Sequence, residues 1–157
     1  MPVLDELRQA NESYVSGFAK GDLPMPPGRK FAVVTCMDAR LDPAKFLGLE
    51  EGDAHVIRNA GGLVTDDALR SLVISHHLLG TEEAVVIAHD DCGMLTFENE
   101  DLQQRLDTDV DFHPFSDLDE SVRGSVRRIR ESSLLPDSYA ATGFVYDVRS
   151  GRLREVA

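Results

Sequence analysis

The chain of 157 residues has two cysteines, and both stand among residues that could do chemistry. Cys36 ends the apolar run FAVVTC and begins CMDAR, so Asp38 and Arg40 follow it at two-residue intervals; Cys92 lies three residues after His89 in HDDCG. A thiol on its own can be a small core residue, half of a disulfide, a nucleophile or a metal ligand. Two thiolates and an imidazole suit zinc, which accepts that mixture in tetrahedral geometry, and three protein ligands leave a fourth position for water or substrate. Such a metal lowers the pKa of its water from about 15.7 towards neutrality and so supplies a hydroxide nucleophile near physiological pH. With two thiolates the shift should be smaller than at an all-histidine site.

Charge arithmetic gives the rest of CMDAR a role. Zn2+ with two thiolates and a neutral imidazole is formally neutral, and hydroxide brings the centre to −1, so a nearby carboxylate needs a partner. Asp38 can either fill the fourth position or point away, and Arg40 offers a planar fork that would hold it away by two hydrogen bonds.

These residues must be brought together by the elements that carry them. FAVVTC, AHVIRN and AVVIAH are short apolar or β-branched runs, too short for typical helices and suited to buried strands. Between the second and third runs, TDDALRSLVISHHLLG has Thr65 as N-cap, Asp66 and Asp67 on the favourable end of the dipole, and Gly80 as a stop. Strand, helix and strand in alternation predict an α/β fold: a mostly parallel sheet of about four strands flanked by helices, with an antiparallel edge strand supplied by TGFVYDV, a turn around Gly151 and LREV. Ligands of such sheets bind beyond the carboxyl ends of the strands, where Cys36 and His89 both fall.

Elsewhere the signals are weaker. Leu4, Leu7, Tyr14, Val15 and Phe18 predict a first helix over residues 2–20. Residues 96–120 are acidic, and predict a short helix near 99–106 followed by an irregular loop, read as a solvated insertion. Val122, Val126 and Ile129 mark a helix whose late arginines, Arg127, Arg128 and Arg130, suit its negative end, with Pro136 helping to terminate it. His76 and His77 read as surface or satisfied-core residues, and His55 opens a strand at the end opposite the site. His113 would serve as a proton shuttle only if its loop folded over the entrance. Gly61 and Gly62 either allow close approach of substrate or make a tight turn.

The segments CMDAR at 36–40, HVIRNAGG at 55–62, TDDALRSLVISHHLLG and HDDCGM at 89–94 resemble the β-class carbonic anhydrases, specifically the short bacterial and archaeal type. The likeness covers most of residues 22–97, and LPMPPG and GFVYDVRSGRL also resemble short members of the class. It implies a zinc lyase, a carbonate dehydratase interconverting CO2 and bicarbonate, with Cys36, His89 and Cys92 as zinc ligands and Asp38 with Arg40 as a dyad. Asp38 in such enzymes either ligates zinc and closes the site or pairs with the arginine and opens it. The likeness also implies a homodimer or a tetramer of dimers, in which helix 2–20 packs on the partner subunit and the site lies at the dimer interface. Hydrolysis of carbonyl sulfide or carbon disulfide is the alternative on the same scaffold, and a non-catalytic zinc module, with Asp38 permanently on the metal, is a third reading. Asp90 departs from the pattern, which leads one to expect threonine or another uncharged residue; it is expected to face solvent, the other reading being a perturbation of proton transfer.

Composition bounds these readings. The length predicts one domain over residues 1–157, and 42% hydrophobic content suits a full core. Sixteen basic against 28 acidic residues give a net charge of −12, which repels nucleic acid and anionic membranes. No run approaches the ~20 apolar residues of a membrane span, and the N-terminus lacks the pattern of a signal peptide. The protein is therefore expected in the cytoplasm, where a standing disulfide is disfavoured.

Overall fold

A computed structural model describes residues 2–157. The three apolar runs form β1 (Phe31–Cys36), β2 (Ala54–Asn59) and β3 (Glu83–His89), and the last third of the chain supplies β4 (Ala140–Tyr146) and β5 (Leu153–Glu155). The sheet order is β2-β1-β3-β4-β5; the first four strands are parallel and β5 runs antiparallel to β4, as the alternation predicted. The central position of β1 explains why all six of its residues are buried.

Alternating residues of β1 serve two layers. Ala32 and Val34 join Leu72 of α3 (Asp66–Leu79) and Val122, Val126 and Ile129 of α5 (Leu118–Arg130) in the main core. Phe31 and Val33 point the other way, towards Phe46 and Leu47 of α2 (Pro43–Leu47). The five-residue α2 has no period that a sequence could display; its signals are Asp42, which caps the Lys45 amide, Pro43 at the first turn and Gly48 in the left-handed region.

The punctuation of α3 is as expected: the Thr65 hydroxyl accepts from the Ala68 amide at 3.3 Å, and the Gly80 amide returns to the His76 and Ser75 carbonyls. In α5 the arginines do more than meet a dipole. Arg128 donates to the Val64 carbonyl and pairs with Asp66, and Arg130 donates to the Ala141 carbonyl, so this helix end is tied to α3 and to β4.

The N-terminal helix, α1 (Pro2–Gly17), stops three residues before the expected limit, and residues 3–20 are all exposed. Val3, Leu4, Leu7, Tyr14, Val15 and Phe18 thus present apolar side chains to solvent. Among the described residues, no helix is long and apolar enough to cross a membrane.

The acidic stretch is solvated as expected, with none of residues 96–120 buried, yet it is not loose. Its helix, α4 (Asn99–Leu106), lies where expected, but the following loop is stitched down. Asn99 accepts from the Phe112 amide, Gln103 donates to the Val110 carbonyl, and the Phe115 amide donates to the Met94 carbonyl at 3.2 Å. Phe97 and Phe115 pack against Cys36, Leu41, Cys92 and Met94. Two phenylalanines 18 residues apart in an acidic background carry no periodic signal, so their packing against the cysteines was not visible before folding.

Candidate metal centre

The connection from β1 goes to β2 on one side, whereas β2 returns across β1 to β3 on the other. The carboxyl ends of β1 and β3 therefore flank the point where the winding reverses, the place at which open α/β sheets bind ligands. Cys36 ends β1 and His89 ends β3, and the Thr35–Ile87 register sets these ends within one residue of a common level. Cys92 follows on the turn that leaves β3. The ligand atoms of Cys36, His89 and Cys92 all lie within 4.8 Å of one another, and all three residues are buried.

The chemistry of this donor set fits a tetrahedral cation. His89 Nδ1 donates to the Asp90 carbonyl at 2.7 Å, a tautomer that leaves a lone pair on Nε2. Nε2 is the one buried side-chain nitrogen or oxygen among the described residues that has no hydrogen-bond partner. A buried acceptor in that state is costly unless something binds it. Zinc, at about 2.3 Å from sulfur and about 2.0 Å from nitrogen, needs only a small inward closure of three atoms so spaced.

The two sulfurs are already inequivalent. A hydrogen bond from Cys92, offset by burial and reinforced by His89 and by the amides of Asp38 and Gly61, pulls the Cys36 thiol down to about 4. The same bond and burial push the Cys92 thiol up. Burial opposes protonation of His89, but the Cys36 sulfur, the Asp90 carbonyl and the Asp38 charge outweigh it and raise its pKa. A cation would replace the shared proton and release both thiolates.

Asp38 lies beside the cluster, with Oδ2 3.7 Å from His89 Nε2. Arg40 holds it through three bonds: its amide and Nε to Oδ1, at 2.8 and 3.0 Å, and Nη2 to Oδ2, at 2.8 Å. The side-chain bonds from Arg40, and then its amide, keep the Asp38 carboxyl far below the usual carboxylate range, so it is ionised at any neutral pH.

Other residues at the site gave no clear signal beforehand. Arg58 donates to the carbonyls of Cys36 (2.9 Å) and Asp38 (2.8 Å) and so fixes the backbone of the first ligand loop. The Asn59 side chain makes two bonds to the Leu63 backbone, which closes the turn containing Gly61 and Gly62. A strand that ends in two polar residues was the available hint. At Gly62 the open choice between substrate approach and tight turn resolves towards chain packing: φ is +64°, and a Cβ there would lie 2.9 Å from the Cys36 nitrogen and 3.0 Å from the Ile87 carbonyl oxygen. At Gly61 the Phe115 ring occupies the corresponding space.

Asp90 is not simply turned to solvent. Its carboxylate accepts from the Val148 amide at 2.8 Å and its amide donates to the Tyr146 carbonyl, so it joins the His89 turn to the end of β4. The outlying histidines are occupied elsewhere: His55 with Ser75, His76 with the Thr81 carbonyl and His77 with the Leu134 carbonyl. His113 is exposed beside Asp111, and the residue its loop brings to the cluster is Phe115.

A family model described as carbonic anhydrase matches residues 31–113. Beta-carbonic anhydrase 1 of Mycobacterium tuberculosis is 48% identical, with 99% of each chain covered. The crystal structure of a carbonic anhydrase from Streptococcus mutans superposes with a TM-score of 0.93 at 48% identity, over 100% of this chain and 99% of that one. A carbon disulfide hydrolase of Acidianus sp. is 34% identical over 92% of this chain and 84% of its own. The cluster at the winding reversal and these likenesses agree: the chain belongs to the β-class carbonic anhydrases.

Proposed function

We propose that the protein is a zinc-dependent lyase that interconverts CO2 and bicarbonate, with Cys36, His89 and Cys92 as the metal ligands. The observation that carries this reading is the buried Cys-His-Cys cluster with one unpartnered nitrogen lone pair, set in a β-class carbonic anhydrase fold. Bound there, Zn2+ supplies Lewis-acid activation of water near neutral pH. Asp38, ionised and turned aside by Arg40, is positioned to accept a hydrogen bond from a group entering the fourth position. Leu41, Met94, Phe97 and Phe115 form an apolar wall around the two cysteines, which limits competing water and suits an uncharged linear substrate. Stopped-flow measurement on the zinc-loaded protein at alkaline pH should show accelerated CO2 hydration, reduced at least tenfold in Arg40→Ala, the scale on which groups supporting a metal site act. A zinc-loaded protein that does not accelerate the reaction rules the reading out.

Hydrolysis of carbon disulfide or carbonyl sulfide is the second reading, favoured by the likeness to a carbon disulfide hydrolase. Sulfide release measured on the same preparation separates the two, and a yield far below the CO2 rate counts against it.

The active form is a homodimer or a tetramer of dimers in which α1 packs on a partner subunit. In support, the apolar residues of α1 are exposed, and the Tyr14 ring lies 5.5 Å from that of Phe18 just beyond the helix, tilted by 40°, so that they extend one exposed apolar patch of the kind that marks an interaction surface. Sedimentation velocity should show a dimer or larger species, and Leu7→Glu with Val15→Glu should shift it towards monomer. An unchanged sedimentation coefficient would remove α1 from the interface. The two free cysteines fit a reducing compartment, the cytoplasm.

A further inference from the structure

The Arg40 guanidinium lies between two carboxylates that come from the two ligand loops. One edge faces Asp38, on the loop after β1. The other faces Asp91, between His89 and Cys92, with Nη1 donating to the Asp91 carboxylate at 2.7 Å and Nη2 to its carbonyl at 2.9 Å. Asp91 presents both acceptors because its backbone is left-handed, with φ +52°, a conformation that aspartate tolerates better than most residues. Asp38 and Arg40 are two residues apart on one loop, whose backbone Arg58 fixes at the Asp38 carbonyl but whose two side chains could still turn together; among the described residues, the hydrogen bonds from Arg40 to Asp91 are what fasten the pair to the other ligand loop. Asp91 uses Nη1, which Asp38 does not touch, so the two carboxylates hold the guanidinium jointly and do not compete for that donor.

We propose that Asp91 is a positioning residue that anchors Arg40 and thereby keeps Asp38 turned away from the metal position, making the dyad a three-membered relay, Asp38–Arg40–Asp91. The proposal rests on the metal assignment above. With Asp91 removed, Arg40 gains rotamer freedom, Asp38 is held less of the time, and a ligand that needs the fourth position binds in proportion to the remaining open fraction.

The test uses full-length protein loaded with Co2+, titrated with azide at one fixed pH while the visible absorption of the metal is followed. Asp91→Gly removes the carboxylate and favours the left-handed backbone, so the fold is kept. It should weaken azide binding about three- to fivefold, the upper range for an exposed, well-aligned ion pair. Asp91→Asn, which keeps the backbone preference and a neutral acceptor, should fall between. In an Asp38→Ala background Asp91→Gly should have no effect, because the residue on which it acts is gone. Azide affinity that is unchanged or tighter in Asp91→Gly, or a loss of the same size in the Asp38→Ala background, overturns the relay. Failure of wild-type protein to take up Co2+ with thiolate-to-metal absorption overturns the metal assignment itself, and the relay with it.

Discussion

Cys36→Ser should give a folded protein that no longer retains zinc. Structural zinc in small domains binds with about 10–16 kcal/mol shared among four ligands, so one ligand contributes roughly 3 kcal/mol, about a hundredfold in affinity. Serine is a poor substitute, because its hydroxyl does not ionise as the Cys36 thiol does when Cys92, His89 and two amides converge on it. The fold should persist: the hydroxyl is close to isosteric, and the Asp38 and Gly61 amides that now face the sulfur can bond to it. Metal analysis after dialysis against a weak chelator should show wild type retaining zinc and Cys36→Ser losing it, with CO2 hydration falling at least a hundredfold. Melting of the two metal-free proteins should agree within a few degrees. A variant that retains zinc and activity would remove Cys36 from the ligand set.

Gly62→Ala should be the most damaging single methyl in the chain around the site. The added carbon would meet backbone on both central strands, at 2.9 Å from the Cys36 nitrogen and 3.0 Å from both the Thr35 carbonyl carbon and the Ile87 oxygen, and at φ +64°. Flexible side-chain ends can give way to such a contact; paired strand backbone cannot without breaking ladder bonds. Strain and displacement together should cost at least about 3 kcal/mol. A chain of this size has ~5–15 kcal/mol of stability in all. Thermal melting should fall by about 10 °C. Because the collision is with the Cys36 amide, zinc affinity should fall with it. A melting point within two degrees of wild type would show that the strand ends can part, and that the tight turn is not what places Cys36.

Both outcomes bear on how much of the site could be read in the chain. CMDAR and HDDCG were recognisable because catalytic zinc demands a short list of ligand types and the strands ending at Cys36 and His89 are nearly pure apolar runs. The caps of α3, the helix at 99–106 and the closing hairpin were legible for the same reason: each depends on residues adjacent in sequence. The packing of Phe115 on the cysteines, the grip of Arg58 on the Cys36 and Asp38 carbonyls, and the attachment of Asp90 to Val148 were not, since each joins positions twenty or more residues apart or without a repeating pattern.

The sequence by itself determined the candidate donor set, the parallel α/β class and the family, because ligand chemistry and strand hydrophobicity are local properties of residues. Only the tertiary structure decided that β1 and β3 are neighbours at the winding reversal, that Gly62 is wedged between their backbones, and that Arg40 reaches Asp91 as well as Asp38. Those are matters of strand order and chain approach. They are set by how the whole core packs, and no stretch of residues carries them alone.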